Sequence, residues 1–390
     1  MTEKYIDFEA YERVAEPHKR ERASTWRTAI GLQDVDGLKV SDYLKQTAVK
    51  HIEGDITIDE VRELLKSYYV SKTAHDDGST EKEEADRVAA NIAKLLSEKS
   101  FSFTALEFLN IHRHLFAGVF KHAGEVRTYD ISKKEWVLQG DSVVYGRAAD
   151  IMMALRYDIQ QEKDFNYSGL SADEIVEHIV DFVTLLWQNH PFCEGNTRTT
   201  AVFVIKYLRS IGFNVDNELF AHNSWYFRNA LVRANYRNPL KGIEPDKSFL
   251  IQFFRNLMLG ELHELKNRYL LIGYKQPNDT PTSTPTSTPT STPTSTPTST
   301  PTSSKPKFND LSDAVKRLVL FTGNEEKSVT EMLHAFGLKD RKSFLKYTLT
   351  PAIAEGLVKM KYPNSPRHPR QKYLLTVKGL AVYNSFSSNY

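Results

Sequence analysis

The sequence predicts a mainly α protein that ends in a small α+β domain. Apolar residues recur at helical intervals through most of residues 1–276, whereas residues 305–390 alternate short helical and strand patterns. Between them, residues 280–303 are six copies of Thr-Pro-Thr-Ser. A proline in every repeat prevents a helix, and nothing in the repeat is apolar enough to bury, so it is typical of an extended tether between independent units.

Composition and charge indicate a globular protein without disulfides or membrane spans, whose two ends differ in net charge. With 40% hydrophobic and 26% charged residues, the chain resembles an ordinary globular protein. Residues 305–390 carry 15 Lys and Arg against 7 Asp and Glu, a net +8, which leaves −6 for residues 1–304. The single cysteine, Cys193, excludes an internal disulfide and fits a reducing cytoplasm. No apolar run approaches the roughly 18 residues of a membrane span, and no signal-peptide core is visible, so we expect a cytoplasmic protein without a membrane partner.

The pattern divides the chain into four parts. Residues 1–72 read as a helical module, in which Thr57 and Glu60 form a predicted capping box. Residues 73–276 form a second helical domain, residues 277–306 the linker, and residues 307–390 the C-terminal domain. Within the second domain, residues 131–145 change character, with apolar pairs around Gln-Gly-Asp, and predict a β-hairpin.

The stretch 190–198, His-Pro-Phe-Cys-Glu-Gly-Asn-Thr-Arg, lies between two apolar runs with helical spacing. One helix is therefore predicted to end before a polar loop, and another to begin near Gly195. A helix N-terminus offers unpaired N–H groups and a positive dipole end to an anion, and Arg198 adds a guanidinium one turn on. His190 and Glu194 supply a general base and a metal ligand, so the loop predicts a site for Mg-nucleotide phosphates. The alternative is a helix-capping loop, which needs neither the imidazole nor the guanidinium.

This stretch resembles the signature of Fic proteins, His-x-Phe-x-(Asp/Glu)-Gly-Asn-x-Arg. The resemblance implies a helical Fic fold and a protein adenylyltransferase, which moves AMP from Mg-ATP to a Tyr, Thr or Ser hydroxyl of a target protein or of itself. It implies His190 as the catalytic base and Glu194 as the Mg²⁺ ligand. Thr197 stands where the family commonly has Gly, and Cys193 occupies a variable position. The residues implied to bind the nucleotide are Glu194, Gly195, Asn196, Thr197, Arg198, Tyr226 and Asn235.

Three further segments resemble parts of Fic proteins. In the family, a flap near residues 131–145 pairs with the target peptide, although an ordinary surface hairpin would look the same. The run 225–235 resembles the segment that contacts the adenine end, although such an aromatic cluster is as readily core. Residues 1–72 resemble the antitoxin-like module, with 32–37, Leu-Gln-Asp-Val-Asp-Gly, at the inhibitory (Ser/Thr)-x-x-x-Glu-(Gly/Asn) motif. The family's partner for that glutamate is a second motif arginine, here Ala201, so we expect the inhibitory ion pair to be weakened or missing and the module to serve in packing or restraint.

Residues 307–390 follow the order helix, helix, helix, strand, loop, strand, helix. Ser328 and Glu331 form a predicted capping box for the second helix. The third helix begins with Arg341 and Lys342, and the loop 363–370 between the strands is rich in Pro and Arg. The order and composition resemble a winged-helix domain, whose partner is either DNA or a docking protein.

Three functions are consistent with the sequence. The first is an adenylyltransferase with a tethered domain that reads DNA or a protein. The second is a DNA- or partner-binding regulator that uses the Fic domain as a scaffold. The third is a restrained toxin that transfers another phosphate-linked group.

Overall fold

The computed structural model describes residues 8, 16–71, 79–213, 215, 218–274 and 311–387. It confirms the predicted fold class, a mainly α protein with a small α+β domain at the C-terminal end. Within the described ranges, no helix combines the length and the apolar character needed to cross a bilayer. The helices of the first part are α1 (Pro17–Gly31), α2 (Asp42–Glu53), α3 (Ile58–Ser71), α4 (Ser79–Ser97), α5 (Ala105–Leu115), α6 (Ile151–Asp164), α7 (Ala172–Asn189), α8 (Asn196–Ser210), α9 (Glu218–Asn235) and α10 (Ser248–Leu259).

The N-terminal helices share one hydrophobic core with the helices that follow. Trp26 on α1 is fully buried, and the cluster to which it belongs contains residues from Ala23 to Leu270 and also Ala381. A short 3₁₀ turn, Leu32–Asp36, follows α1 directly and ends at Gly37, whose φ is 72°. The predicted capping box before α3 is present, since Glu60 accepts from the Thr57 amide at 2.6 Å and donates its own amide to the Thr57 hydroxyl.

Helices α7 and α8 form the centre of the fold and hold the loop 190–195 between them. A capping box at Ser171 and Glu174 starts α7. Apolar side chains surround α8, which is buried from Asn196 to Leu208. A helix that is buried on every face is positioned by all its neighbours, so the loop at its start has little freedom.

The segment 131–145 doubles back on itself as predicted, but in a different form. The Glu135 amide donates to the Asp141 carbonyl at 2.9 Å, and a 3₁₀ turn, Trp136–Leu138, lies inside the loop so formed. No strand ladder is assigned in this segment. The hairpin prediction is therefore realised as a compact turn, and the regular strand pair among the described residues lies in the C-terminal domain.

The C-terminal domain has its own core and the predicted order of elements. Two antiparallel strands pair Val358 with Leu375 and Met360 with Tyr373. A capping box at Ser328 and Glu331 starts the second helix, as predicted. The elements are α11 (Asp313–Thr322), α12 (Val329–Phe336), α13 (Arg341–Phe344), a π turn (Leu345–Leu349), α14 (Thr350–Ala354), β1 (Val358–Met360), β2 (Tyr373–Leu375) and α15 (Val377–Ser387).

Helix α15 packs the C-terminal domain against the first part of the chain. Ala381 belongs to the main core, and Asn384 donates to the Leu170 carbonyl at 2.7 Å. Gly212 and Gly356 meet backbone to backbone, because a Cβ on either would lie 2.2 Å from the carbonyl oxygen of the other. Only glycine fits at this contact.

Candidate active site

His190 ends α7 in a left-handed conformation that its surroundings maintain. Its φ is 45° and its ψ 58°, which costs a non-glycine residue on the order of 1 kcal/mol. The buried guanidinium of Arg127 donates to the His190 carbonyl at 2.8 Å and to the Asn189 and Gly146 carbonyls. The Arg127 amide also donates to the Pro191 carbonyl at 2.8 Å. Arg127 therefore fixes the turn that aims the imidazole, a role that no local sequence signal indicates.

A hydrogen bond at Nδ1 sets the tautomer of the His190 ring. Its Nδ1 lies 3.3 Å from the Trp187 carbonyl, which can only accept, so Nδ1 carries the proton and Nε2 the lone pair. Among the described residues nothing hydrogen-bonds Nε2. Burial, with a contribution from the charge of Lys133, holds the pKa of His190 well below its usual value, so the ring is neutral at pH 7. Tyr145 packs on the ring with centroids 4.1 Å apart.

Gly195 begins α8 and leaves its first turn uncapped by any described side chain. Its φ is 73°, and a Cβ there would lie 2.1 Å from the Phe116 ring. The glycine is thus required by packing beneath the loop as well as by its conformation. Asn196 accepts from the Phe192 amide at 2.9 Å and donates to the Phe192 carbonyl at 2.7 Å, which closes the loop. The free N–H groups of the turn remain available to an anion.

Thr197, the departure from the commonest Fic pattern, faces the protein interior. Its hydroxyl accepts from the indole N–H of Trp187 at 3.0 Å and so ties α7 to α8. The side chain is 6% exposed. The hydroxyl is therefore engaged with α7, while the residue still lines the small cavity at the start of α8.

His112 supports the loop from α5 and was not singled out by the sequence. Its Nδ1 accepts from the Gly124 amide at 2.7 Å, so Nε2 carries the proton and donates to the Glu194 carbonyl at 3.1 Å. The ring stacks on Phe192 with centroids 3.7 Å apart. Burial lowers the pKa of His112 to about 3. In the sequence it is a single histidine on an apolar helix face, a pattern that does not indicate a role in supporting the loop.

Arg198 is enclosed by an acidic cluster formed by Asp36 and Glu84 and by the neutral amide of Gln33. Its Nη2 donates to Glu84 at 2.8 Å and its Nη1 to the Gln33 amide oxygen at 3.1 Å. Its Nε lies 2.8 Å from an Asp36 oxygen, without the alignment of a hydrogen bond. The arginine side chain is 2% exposed. A phosphate would therefore have to replace carboxylates that already neutralise this cation.

The ion pair that the sequence predicts to be weakened or missing is missing, because position 201 is a buried alanine and offers no charge. Asp36, which the resemblance aligns with the inhibitory glutamate, instead contacts Arg198, one turn earlier on α8. Glu84 on α4 adds a second carboxylate, which has no counterpart in the inhibitory motif.

The remaining motif residue, Glu194, points outward. Its side chain is 57% exposed and lies 3.4 Å from the Lys133 ammonium. The described residues contain no cluster of three His, Cys, Asp or Glu that could hold a metal by itself. A single carboxylate nevertheless suits Mg²⁺, which usually takes one or two protein carboxylates and completes its shell with phosphates and water.

A small cavity lies between His190 and the start of α8. It has a volume of about 20 Å³, room for about one water molecule. Entry of a nucleotide therefore requires the surrounding segments to move. The lining residues are Asp36, Lys133, Glu135, Trp187, His190, Gly195, Asn196, Thr197 and Arg228.

Tyr226 and Asn235 do not line this cavity. Tyr226 is 1% exposed in the aromatic core, and its hydroxyl donates to the Phe249 carbonyl at 3.3 Å. The Asn235 amide donates to the carbonyls of Leu231 and Thr184. Both side chains pack the protein in this conformation, and their contact with a nucleotide stays a prediction.

Comparison with known proteins identifies two domains. Residues 102–208 match the Fic/DOC family model. Residues 313–376 match the model of the C-terminal domain of Fic-like proteins, described as filamentation induced by cAMP protein Fic-like. The chain therefore carries a Fic domain, which contains the motif and both flanking helices, and a Fic-like C-terminal domain.

Individual relatives are distant. The chain is 29% identical over 106 residues to the protein adenylyltransferase VbhT of Bartonella schoenbuchensis, a match that covers 27% of this chain and 21% of that protein. A Fic family protein from Desulfovibrio desulfuricans G20 has a similar structure, with a TM-score of 0.41 and 15% identity over 95% of this chain and 92% of that one. The N-terminal Fic domain of an effector from Bartonella sp. 1-1C gives 0.37 and 19% identity over 48% of this chain and 88% of that one.

Proposed function

We propose that this chain is a protein adenylyltransferase that moves AMP from Mg-ATP to a Tyr, Thr or Ser hydroxyl of a target protein or of itself. The observation that carries the proposal is His190, whose Nε2 is unprotonated and which lines the same cavity as the uncapped first turn of α8. A base beside an anion-binding helix start is the minimum that transfer of a phosphoryl-linked group to a hydroxyl needs.

In the proposed transfer step, His190, the start of α8 and Arg198 have separate roles. The hydroxyl oxygen of the target bonds to the α-phosphorus while the bond from that phosphorus to pyrophosphate breaks, and the hydroxyl proton passes to Nε2 of His190. The N–H groups at the start of α8 hold the phosphate oxygens, and Arg198, once released from its carboxylates, stabilises the charge on the departing pyrophosphate. Because the pKa of His190 is low, we expect its protonation state, and this step, to be unchanged between pH 8 and pH 6.

Mg²⁺ belongs to this proposal with ATP as the substrate. Bound Mg²⁺ would neutralise part of the charge on the phosphates and help to orient them. Glu194 is the residue placed to hold it, and its exposed carboxylate would then leave the Lys133 ammonium.

The proposed enzyme is restrained in the conformation described. The acidic cluster occupies Arg198, and the cavity is too small for a triphosphate. This favours an enzyme that is held inactive until Arg198 is released over an enzyme that is always active.

The test uses the purified full chain with Mg²⁺ and ATP labelled at the α-phosphate, alone and in a cell lysate. We expect label on protein hydroxyls, at least about 100-fold less of it with His190→Ala, and none from γ-labelled ATP. Equal labelling by the wild type and His190→Ala would contradict the proposal. Label from γ-labelled ATP alone would make the enzyme a phosphotransferase instead.

A second activity, binding of double-stranded DNA, is proposed for the C-terminal domain in its winged-helix interpretation. Four exposed cations at or near the start of the third helix define a basic face, and the loop 363–370 adds the exposed Arg367 and Arg370. Gln371 holds that loop with two 2.9 Å hydrogen bonds to the Tyr362 backbone. The basic face consists of Lys339, Arg341, Lys342 and Lys346.

The cations of the basic face have no carboxylate partner among the ion pairs of the described C-terminal domain. The ion pairs of the described C-terminal domain join Lys316 to Asp313, Lys327 to Glu325 and Lys361 to Glu326, and none of them includes this face. A helix and a rigid loop that both present unpaired cations suit two neighbouring stretches of a phosphate backbone.

Fluorescence anisotropy of the full chain with a 25-base-pair duplex, over a salt series, tests this binding. Lys342→Ala with Lys346→Ala should weaken it and reduce the slope of log K against log salt by about 2. Lys45→Ala with Lys66→Ala removes the same charge from surface ion pairs and serves as the control. If the wild type does not bind DNA at 50 mM salt, the proposal of DNA binding is wrong, and an acidic protein is the partner that the basic face then favours.

A further inference from the structure

Two cations that lie outside the 190–198 motif line the cavity beside His190. Lys133 comes from the segment 131–145 and Arg228 from the middle of α9. Arg198 on α8 does not line this cavity, but it contacts Asp36, which does, and Ala201, one turn further, is apolar and buried. The cavity wall therefore carries two cations from separate elements, and a third cation is paired with an aspartate of the same wall.

Arg228 is the more firmly positioned of the two. Its Nη2 donates to one carboxylate oxygen of Glu135 at 3.1 Å, and its Nη1 lies 2.7 Å from the other oxygen without the alignment of a hydrogen bond. Its guanidinium also lies over the Trp225 ring, 5.2 Å from the centroid. The side chain keeps 16% exposure, whereas Glu135 keeps 1%. The arginine is thus fixed in direction and still open toward the cavity.

Glu135 connects this arginine to the catalytic histidine. It accepts from the Tyr145 hydroxyl at 3.2 Å, and the Tyr145 ring packs on His190. The charge of Arg228 reaches the imidazole, where it is one of the cations that lower the pKa of His190. The pair Arg228–Glu135 is therefore part of the site wall, although it lies far from the motif in the sequence.

We propose that Arg228 binds the β- and γ-phosphates of the nucleotide, as a second guanidinium in addition to Arg198, and that Glu135 holds it in place until the nucleotide arrives. The inference rests on the proposed function, because it assigns the polyphosphate end of the same substrate. A triphosphate carries about four negative charges, more than the helix start and one arginine neutralise. Both guanidinium groups begin paired with carboxylates, so the nucleotide exchanges one set of ion pairs for another.

Removal of Arg228 alone would leave the Glu135 carboxylate buried and unpaired, which destabilises the fold. The informative variant is therefore Arg228→Gln with Glu135→Gln, compared with Glu135→Gln alone, which keeps the arginine. The matched control is Arg233→Gln with Asp246→Asn, a second ion pair of α9 whose members do not line the cavity. All variants carry Asp36→Ala in the full chain, so that Arg198 is less restrained.

The measurement is Mg-ATP affinity by isothermal titration calorimetry, followed by AMP transfer. We expect the double variant to bind ATP about 10-fold more weakly than Glu135→Gln, which should bind at least as well as its parent. AMP binding, which lacks the β- and γ-phosphates, should not change. Equal ATP affinity in the double variant and Glu135→Gln would overturn the inference and leave the proposed function intact. No ATP binding by the Asp36→Ala parent would overturn both.

Discussion

The positive charges of the Fic domain and those of the C-terminal domain are arranged in opposite ways. Around the candidate active site, each guanidinium has a carboxylate partner: Arg198 contacts Asp36 and Glu84, and Arg228 contacts Glu135. On the basic face, the cations are exposed and have no such partner among the ion pairs of the described domain.

The difference follows from what each region can bind. A buried cation without a counterion is unstable, so a site for a small anion is filled by carboxylates until the ligand displaces them. An exposed cation needs no counterion, and a row of them attracts a long polyanion from a distance. The first arrangement favours selectivity and restraint, and the second favours charge-dependent association.

The largest effect is expected when the acidic cluster is removed. Asp36→Ala with Glu84→Gln leaves Arg198 with the Gln33 amide and the face of the Phe116 ring, so the cost of displacing two carboxylates disappears. We expect AMP transfer to rise by about 10- to 100-fold, which corresponds to about 1.4–2.7 kcal/mol. Labelling from α-labelled ATP measures it.

Asp34→Asn is the control for this prediction, because Asp34 lies on the same 3₁₀ turn and makes no ion pair with Arg198. It should transfer AMP at the wild-type rate. A cluster variant no more active than Asp34→Asn would show that the carboxylates stabilise Arg198 without restraining the enzyme.

A smaller effect is expected when the pH is lowered. Acid should reduce the free energy of unfolding through His112, a buried residue beside the candidate active site. His112 has a pKa of about 3 when folded and about 6.5 when unfolded, so only the unfolded chain takes up a proton between these values. Its stabilising contribution is complete above pH 6.5 and is lost as the pH falls below it. From pH 7 to pH 5 the loss is about 2 kcal/mol.

Urea unfolding at the two pH values measures this loss. His112→Gln keeps a side-chain donor for the Glu194 carbonyl without a titrating ring, and it should lose about 2 kcal/mol less than the wild type over the same range. His18→Gln, at an exposed position, should behave as the wild type. Identical pH dependence in all three proteins would mean that His112 is not held neutral.

The features that could be predicted from the sequence are those that depend on residues close together in the chain. The capping residues Thr57 and Ser328, and the helix that begins after Gly195, depend on neighbours within a few positions, and the structure contains all three. The order of helices and strands in the C-terminal domain rests on the same short-range patterns.

What could not be predicted depends on distant pairs. Arg127 holds a residue 63 positions away, and Arg198 meets Glu84 at a separation of 114. Such pairs arise from tertiary packing, which single-residue patterns do not encode. Tyr226 shows the reverse case, because an aromatic residue assigned to the nucleotide satisfies its hydroxyl inside the core.

The smallest effect is expected when a carboxylate is added beside the basic face, whose cations lack the carboxylate partners that Arg198 has. Thr350 is exposed and follows Lys346 by four residues across the π turn, so Thr350→Glu adds a carboxylate to the segment that carries that lysine. The new charge also repels phosphate. We expect affinity for a DNA duplex to fall about 3- to 10-fold at 50 mM salt and the difference to shrink as salt rises, with Thr350→Gln unchanged. Anisotropy with the full chain measures it, and equal loss in the Glu and Gln variants would assign the effect to helix contacts rather than to charge.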